Sequence, residues 1–500
     1  MATAASSPAA GMGWRVLANT KLAVLSTVFF FPSLWGTTPF HLLEALVLWP
    51  LEVYESLAIV PVTFLRRHMP IVGGTLVVLM TLHGILLRLF LDAMHSIFAR
   101  ITYSRDVVLN YRTFWMAMRD RYAFFETRQA DWGVVHQLFG EPLETTTNED
   151  DLWIALQESI ALCDDPALSV SRRGPGGSTL TAYGRGLATA ARLRFEHAAM
   201  DVMQRRHLTD GGRRIAKHFV YGVLNAETSP GWRIGYIALN SMEGFVDFPL
   251  PRLDALVPSW TQSDAAPTST TQTIKTGAQR VVVPEIYDLE SMRWALEAIL
   301  RSLGDVDGLV LDLRFNPGGG SLVSALAVAS FFAGPKRSVA FFTDEKLPSP
   351  VNTVQRFSRR RRYTIPQSAR QYRYQGPLVL LQSQHTRGTA EVLSMALMTR
   401  PHTFRIGSAT AGSLSQTRKL RLPNFWQVEI PYLRCFSAKG ELYEGKGVPA
   451  DKAIANMEDA VLQHARATAG TSTGEATSEE SPNEVFDLCI KQAIEHIMRV

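Results

Sequence analysis

The sequence predicts an α/β core preceded by a set of helices, and three observations carry that reading. The first is Asp307–Pro335, DGLVLDLRFNPGGGSLVSALAVASFFAGP. A run of β-formers at Leu309–Leu313 breaks on Asn316-Pro317-Gly318-Gly319-Gly320 and resumes with helical spacing at Leu322–Phe332, which reads as strand, turn, helix. The second is an amphipathic helix just ahead of it, Asp288–Leu303, with Leu289, Met292, Leu296, Ile299 and Leu300 on one face. The third is another strand-to-helix pair downstream, a short buried strand at Leu378–Leu381 and a helix at Val392–Met398. A chain of 500 residues with 46% hydrophobic content can bury a large core, and a formal charge of +5 is small for that length, so nucleic acid is not expected as a partner.

Taken in order, the chain opens with apolar segments. Leu22–Trp35, flanked by Arg15 and Lys21, resembles the start of a signal anchor. Leu42–Leu65 is long enough to cross a bilayer but carries Glu44, Glu52, Glu55, Pro50 and Pro61. Ile71–Phe90 is the strongest span, interrupted only by His83 and Arg88. Residues 1–102 are therefore expected to form a membrane anchor of about two transmembrane helices, making the lipid bilayer a partner and the protein integral to a membrane.

Helical periodicity follows at Val107–Glu126, Trp132–Phe139 and Leu152–Leu162, the last capped by Asn148-Glu149-Asp150. Ser171–Ser178, SRRGPGGS, reads as a loop and Gly184–Arg213 as a helix. Together these give a helical subdomain over residues 103–215. The core is expected over 216–460, with strands at Trp232–Leu239 and Ser338–Phe342, an insertion at Ser259–Thr276 and a solvated basic loop around Arg359–Arg362. Residues 461–500 read as a polar linker, Ala467–Asn483, and a final helix, Val485–Met498. Cys163, Cys435 and Cys489 are widely separated, with neither a disulfide framework nor metal-ligand spacing, so no metal site is expected.

The Asp312-Leu313-Arg314 and Asn316–Gly320 stretch, DLRxNPGGG, resembles the central motif of the tail-specific (C-terminal processing) serine peptidases. Their tricorn-core-like branch is suggested by Phe114–Asp131, FWMAMRDRYAFFETRQAD, and by CDDPALSV at the end of Asp151–Val170. Gly376–Glu391, GPLVLLQSQHTRGTAE, is similar to the nucleophile strand and turn. Arg405–Gly412, RIGSATAG, and Tyr443–Asp451, YEGKGVPAD, are similar to the closing motifs. The matches come in family order over roughly residues 110 to 455. The resemblance implies the α/β (α+β) peptidase core of the tail-specific protease, ClpP- and crotonase-like type, no cofactor, and a peptide or protein C-terminus as partner.

Serine peptidase chemistry needs a nucleophile, a base to take its proton and donors for the oxyanion. On the family's pattern the nucleophile falls on Gly388, just ahead of Glu391, and glycine has no nucleophile. The lysine base of the processing peptidases falls on Ser413, and the histidine of the tricorn-like branch on Ala167. What the pattern retains is Glu444 and the backbone donors of Gly318 and Gly319 in the turn opened by Asn316. Thr386 or Thr389 with His385, or Ser383 with a shifted turn, are possible substitutes; Ser383 and His385, two apart on a strand end, would point the same way. The expected function is a membrane-anchored, catalytically degenerate pseudopeptidase that binds peptides or protein C-termini. Its alternatives are an active membrane-bound serine-type endopeptidase with a rearranged nucleophile, and a structural subunit of a membrane complex.

Overall fold

The computed structural model describes residues 103–186, 189–245, 284–334, 337–348, 355–367, 372–459, 461–462 and 487–500. The apolar segments at 22–35, 42–65 and 71–90, the insertion at 259–276 and the linker at 467–483 lie outside them. No helix among the described residues is long and apolar enough to cross a membrane.

The Asp106 carboxylate accepts the Leu109 N–H and caps α1 (Val107–Arg121). Asp131 caps the short α2 (Trp132–Val135), and Asn148 caps α3 (Glu149–Ala161), whose first turn carries Glu149, Asp150 and Asp151 against the positive helix end. The loop expected over Ser171–Ser178 is shorter, residues 174–178, and joins two strands that the sequence did not announce, β1 (Ser169–Arg173) and β2 (Thr179–Tyr183). Polar composition hid them. The Arg172 guanidinium lies 4.7 Å over Trp153 and 5.4 Å over Trp426, so a charged residue covers aromatic surface that an apolar one would otherwise fill.

The stretch expected as one helix over 184–213 is shorter, α4 (Thr189–Val202), and ends through the Met203–His207 turn before Gly211-Gly212. The core then runs β3 (Arg213–Ile215), β4 (Phe219–Val223), β5 (Ile234–Leu239), α5 (Pro284–Leu303), β6 (Gly308–Asp312), α6 (Leu322–Ser330), β7 (Val339–Leu347), β8 (Arg356–Phe357) and β9 (Arg361–Thr364). It continues with β10 (Leu378–Gln382), α7 (Thr389–Leu397), β11 (Thr403–Gly407), β12 (Thr417–Arg421), β13 (Gln427–Pro431), β14 (Leu433–Ser437) and β15 (Lys452–Ala453), and closes on α8 (Leu488–Ile497).

A seven-stranded sheet in the order β15-β11-β10-β6-β5-β4-β3 forms the centre, parallel from β15 to β5 and antiparallel at β4 and β3. Its middle strands are buried along their whole length, as parallel strands covered by helices on both faces must be. Leu309 and Leu311 of β6 face Leu296, Ile299, Leu326 and Leu393, while Val310 faces Phe195, Ile490 and Ile494. A second sheet, β12-β13-β1-β2, is antiparallel and packs under the first helices through Val170, Leu420, Val428 and Ile430.

The basic stretch is not simply a loop. Residues 361–364 pair with β7, and Arg360 rests 3.9 Å over the Phe436 ring. Lys346, buried in β7, donates to the Tyr122 carbonyl at 2.8 Å and lies 4.7 Å over the Phe125 ring.

Just past β6, Arg314 is wholly buried. It grips Asp312 through Nε and Nη2 at 3.0 and 2.7 Å, and Nη1 lies 2.7 Å from Asp487, the residue that caps α8. Tyr236 donates to the same Asp312 at 2.8 Å.

Candidate active site

Ligand-facing turns of open α/β sheets sit at the carboxyl ends of the parallel strands. Here β6, β10 and β11 all end at one place, and their turns pack together. Asn316 is buried; its amide donates to the Leu239 carbonyl at 2.9 Å, and its side-chain oxygen accepts the Gly318 N–H at 2.9 Å. Gly318 has φ +89°, and a Cβ there would stand 2.7 Å from the Arg387 carbonyl oxygen, so both conformation and space require glycine. The Gly320 N–H is held by the Glu243 carboxylate at 2.9 Å. Of the donors expected to line an oxyanion cradle, Gly318's is therefore already committed. Gly319's N–H has no acceptor among the described residues.

Gly388 occupies the N-cap of α7 with φ +55°. Its N–H is shared between the Ser413 carbonyl at 3.1 Å and the Glu391 carboxylate at 2.9 Å. A Cβ at Gly388 would be in ordinary contact with the Gly318 Cα at 3.8 Å and the Ser413 oxygen at 3.9 Å, so a Cβ would fit where none is present. Glu391 organises this corner. Wholly buried, it accepts from Gly388, Thr410, Gly412 and Ser413 at 2.5 to 2.9 Å. Burial pushes its carboxyl above the ordinary range, and the four hydrogen bonds pull against that.

The structure thus brings together the three positions that the resemblance singles out. Gly388 and Ser413 are hydrogen-bonded neighbours. Arg387 reaches from beside Gly388 to the Pro166 carbonyl at 3.1 Å, next to Ala167.

The substitute nucleophiles do not assemble a site. Ser383 donates to the Arg314 carbonyl at 2.5 Å, Thr386 to the Leu313 carbonyl at 2.9 Å, and Thr389 to the Gly319 carbonyl. The His385 backbone N–H bonds the Ser383 hydroxyl, but its imidazole turns to Glu458 at 3.2 Å. Ser383 and His385 are therefore not a nucleophile and its base, because the strand has already ended at Gln382 and the chain turns before His385. Thr410, beside Ser413, donates to Glu391 and accepts from Val448, which leaves it no part in activating that serine.

Glu444 is buried, and one of its oxygens accepts from Leu414 and Ser415 at 2.8 and 3.1 Å. The other has no hydrogen bond and lies 3.7 Å from Arg128. Arg128 is also 3.7 Å from Asp165, and it donates to the Asp164 and Gly412 carbonyls at 2.9 and 3.3 Å. One guanidinium thus serves two buried carboxylates. Burial, followed by the charges of Asp165 and Glu391, pushes the Glu444 carboxyl well above its usual range, against the pull of Arg128. Sequence reasoning missed Arg128, Asp165 and Arg387 as site residues, although all three lie within the motifs Phe114–Asp131, CDDPALSV and Gly376–Glu391 that it had marked; a motif match does not show which of its charged residues turn inward.

Residues 233–454 match the family model described as Peptidase family S41. Among solved structures, the chain is similar to a protein of Parabacteroides merdae described as a peptidase, at 17% identity over 75% of this chain and 99% of that one, with a TM-score of 0.50. It is also similar to mature CPAF complexed with lactacystin, at 10% identity over 79% of this chain and 99% of that one, again with a TM-score of 0.50. Identities this low speak to the fold.

Proposed function

Because residues 233–454 form a peptidase family S41 domain, we propose that the chain keeps the peptidase fold without its chemistry and holds extended peptides or protein C-termini. The observation that carries this is Gly388. It stands at the helix-capping turn onto which the resemblance maps the nucleophile, and it carries no side chain there although a Cβ would fit at ordinary contact distance. The neighbouring positions supply no base. Ala167 and Ser413 cannot take a proton from a hydroxyl at neutral pH, and the group between them, Arg387, is a permanent cation. The hydroxyls of Ser383, Thr386 and Thr389 are tied to carbonyls.

A fluorophosphonate probe applied to the full-length chain tests the reading. The expected result is no adduct from protein that melts cooperatively. An adduct mapped by mass spectrometry to Ser413, Ser383, Thr386 or Thr389 would sink it. Anchoring in a membrane is the second half of the proposal and rests on the sequence of Ile71–Phe90. Alkaline carbonate extraction is expected to leave the full-length chain in the membrane pellet, and release into the supernatant would remove that half.

A further inference from the structure

A surface helix of a folded domain turns apolar side chains inward and polar ones outward. α1 keeps the first half of that rule, burying Val107, Tyr111, Phe114, Ala117 and Met118, and breaks the second. Val108, Leu109, Arg112 and Met116, three to four positions apart, share its outer face, and all are exposed, Leu109 to 45%. More apolar surface is exposed at the start of the same helix. The Ser104 N–H donates to the Pro423 carbonyl at 3.2 Å, and the Asn424 N–H to the Asn110 side-chain oxygen at 2.9 Å, which fastens that end of α1 to the β12–β13 turn. There Tyr103 and Phe425 meet with ring centroids 4.9 Å apart, each 42% exposed, and the Arg421 guanidinium lies 5.9 Å over the Phe425 ring. Phe425 holds φ +67°, a left-handed conformation that a bulky side chain adopts only under constraint and that asparagine or glycine would take more readily. The turn thus keeps a strained aromatic side chain half in water, which neither burial nor conformation accounts for.

The acids nearby are engaged. Asp106 caps α1, Glu149 lies 3.6 Å from Arg105, and Asp120 lies 2.7 Å from Arg119. Arg112 and Arg421 are exposed and have no ion pair among the described residues. Aromatic rings, aliphatic side chains and unpaired arginines grouped about one helix make the composition of a membrane interface, where rings sit at headgroup depth and arginines meet lipid phosphates. The layout of the chain selects the same occupant. Tyr103 lies 13 positions after Phe90, the end of the strongest apolar segment, which is about 45 Å of fully extended chain. We propose that the outer face of α1, together with Tyr103 and Phe425, is a membrane-contact surface that lies in the headgroup layer of an anionic leaflet. The inference rests on the anchoring half of the proposed function and adds which face of the domain the bilayer meets.

The test uses the full-length chain in vesicles of phosphatidylcholine, with or without phosphatidylserine, each doped with a phospholipid carrying a diazirine near its headgroup. After irradiation, lipid adducts are mapped by mass spectrometry. They are expected on residues 103–116 and 421–425, about tenfold more with phosphatidylserine than without, the preference that a pair of arginines has for an anionic surface. Leu109→Glu combined with Phe425→Glu is expected to remove them while the protein still melts cooperatively, since both side chains are exposed. Phe425→Gly is expected to lose the adducts on the turn and to melt no lower than the unaltered chain, because glycine takes φ +67° freely. Adducts confined to Ile71–Phe90 would overturn the surface and leave the anchoring intact, and labelling nowhere would bring down both. Adducts on the two stretches with none on Ile71–Phe90 would keep the surface and remove the anchor. Equal labelling in the two kinds of vesicle, or labelling that survives the double substitution, would overturn the proposal. If the stretches escape lipid and the chain sediments as a dimer that the double substitution dissociates, a second copy covers this face and the proposal is likewise overturned.

Discussion

Placing serine at Gly388 would ask an L-residue to hold φ +55°, at a cost on the order of 1 kcal/mol, while its Cβ would meet no atom nearer than 3.8 Å. Gly388→Ser is therefore expected to fold, to melt a few degrees lower, and to remain unlabelled by a fluorophosphonate, since a serine without a base is an ordinary alcohol. Labelling of that single variant would show that a base has been overlooked. Lys346 gives a test in pH. Burial lowers its pKa from 10.5 to about 8, although the Tyr122 carbonyl and Phe125 ring both favour the charged form. Between those two values the unfolded chain binds a proton that the folded chain has lost, so stability rises with pH across the window and is flat below it. Relative to Lys346→Met, denaturant melts should show the unaltered chain gaining up to roughly 3 kcal/mol from pH 8 to 10.5. No gain would mean the amine is solvated. Gly388, Ser413 and Ala167 were singled out by motif order alone, and what the structure adds is that Gly388 and Ser413 are hydrogen-bonded neighbours. The hydroxyl donors at 383, 386 and 389 misled because a sequence does not show which carbonyl lies opposite.

The strand-turn-helix units were legible for a physical reason. Strands buried on both faces read as unbroken apolar runs, and helices between them as amphipathic ones, so β5, β6, β10, α5, α6 and α7 all stand where the pattern put them. The β1–β2 hairpin and β9 did not, since arginine stems lying over Trp153, Trp426 and Phe436 do the covering that apolar side chains usually advertise. α8 was legible as a helix but its anchor was not. Asp487 both caps it, accepting from Cys489 and Ile490, and neutralises Arg314. Asp487→Ala should cost about 3–5 kcal/mol, the usual penalty for stranding one partner of a buried pair. Limited proteolysis should then cut within the last residues before it cuts the core. An unchanged melting temperature would show that Asp312 alone is enough for Arg314.

Long-range assembly is the part that lay furthest from the sequence. Ser169 pairs with Glu429, and Arg128 joins the Asp164 carbonyl to that of Gly412, so the first helices and the late strands close over the site as one body. No local pattern announces pairings across such separations. Arg128→Met should destabilise by roughly 3–5 kcal/mol because it leaves Asp165 and Glu444 buried without a counter-charge. Adding Glu444→Gln should recover part of the loss, and strict additivity in that double-mutant cycle would show that the two do not interact. The Arg314 triad has a further consequence, in time. The guanidinium sits at the end of β6, in the middle of the central sheet, yet Asp487, the second of its two carboxylates, follows it 173 residues later in the chain. Until residue 487 has been made, β6 must wait with a half-neutralised cation at its end. A nascent chain stalled between β6 and residue 487 would therefore expose an unfinished core to chaperones and proteases.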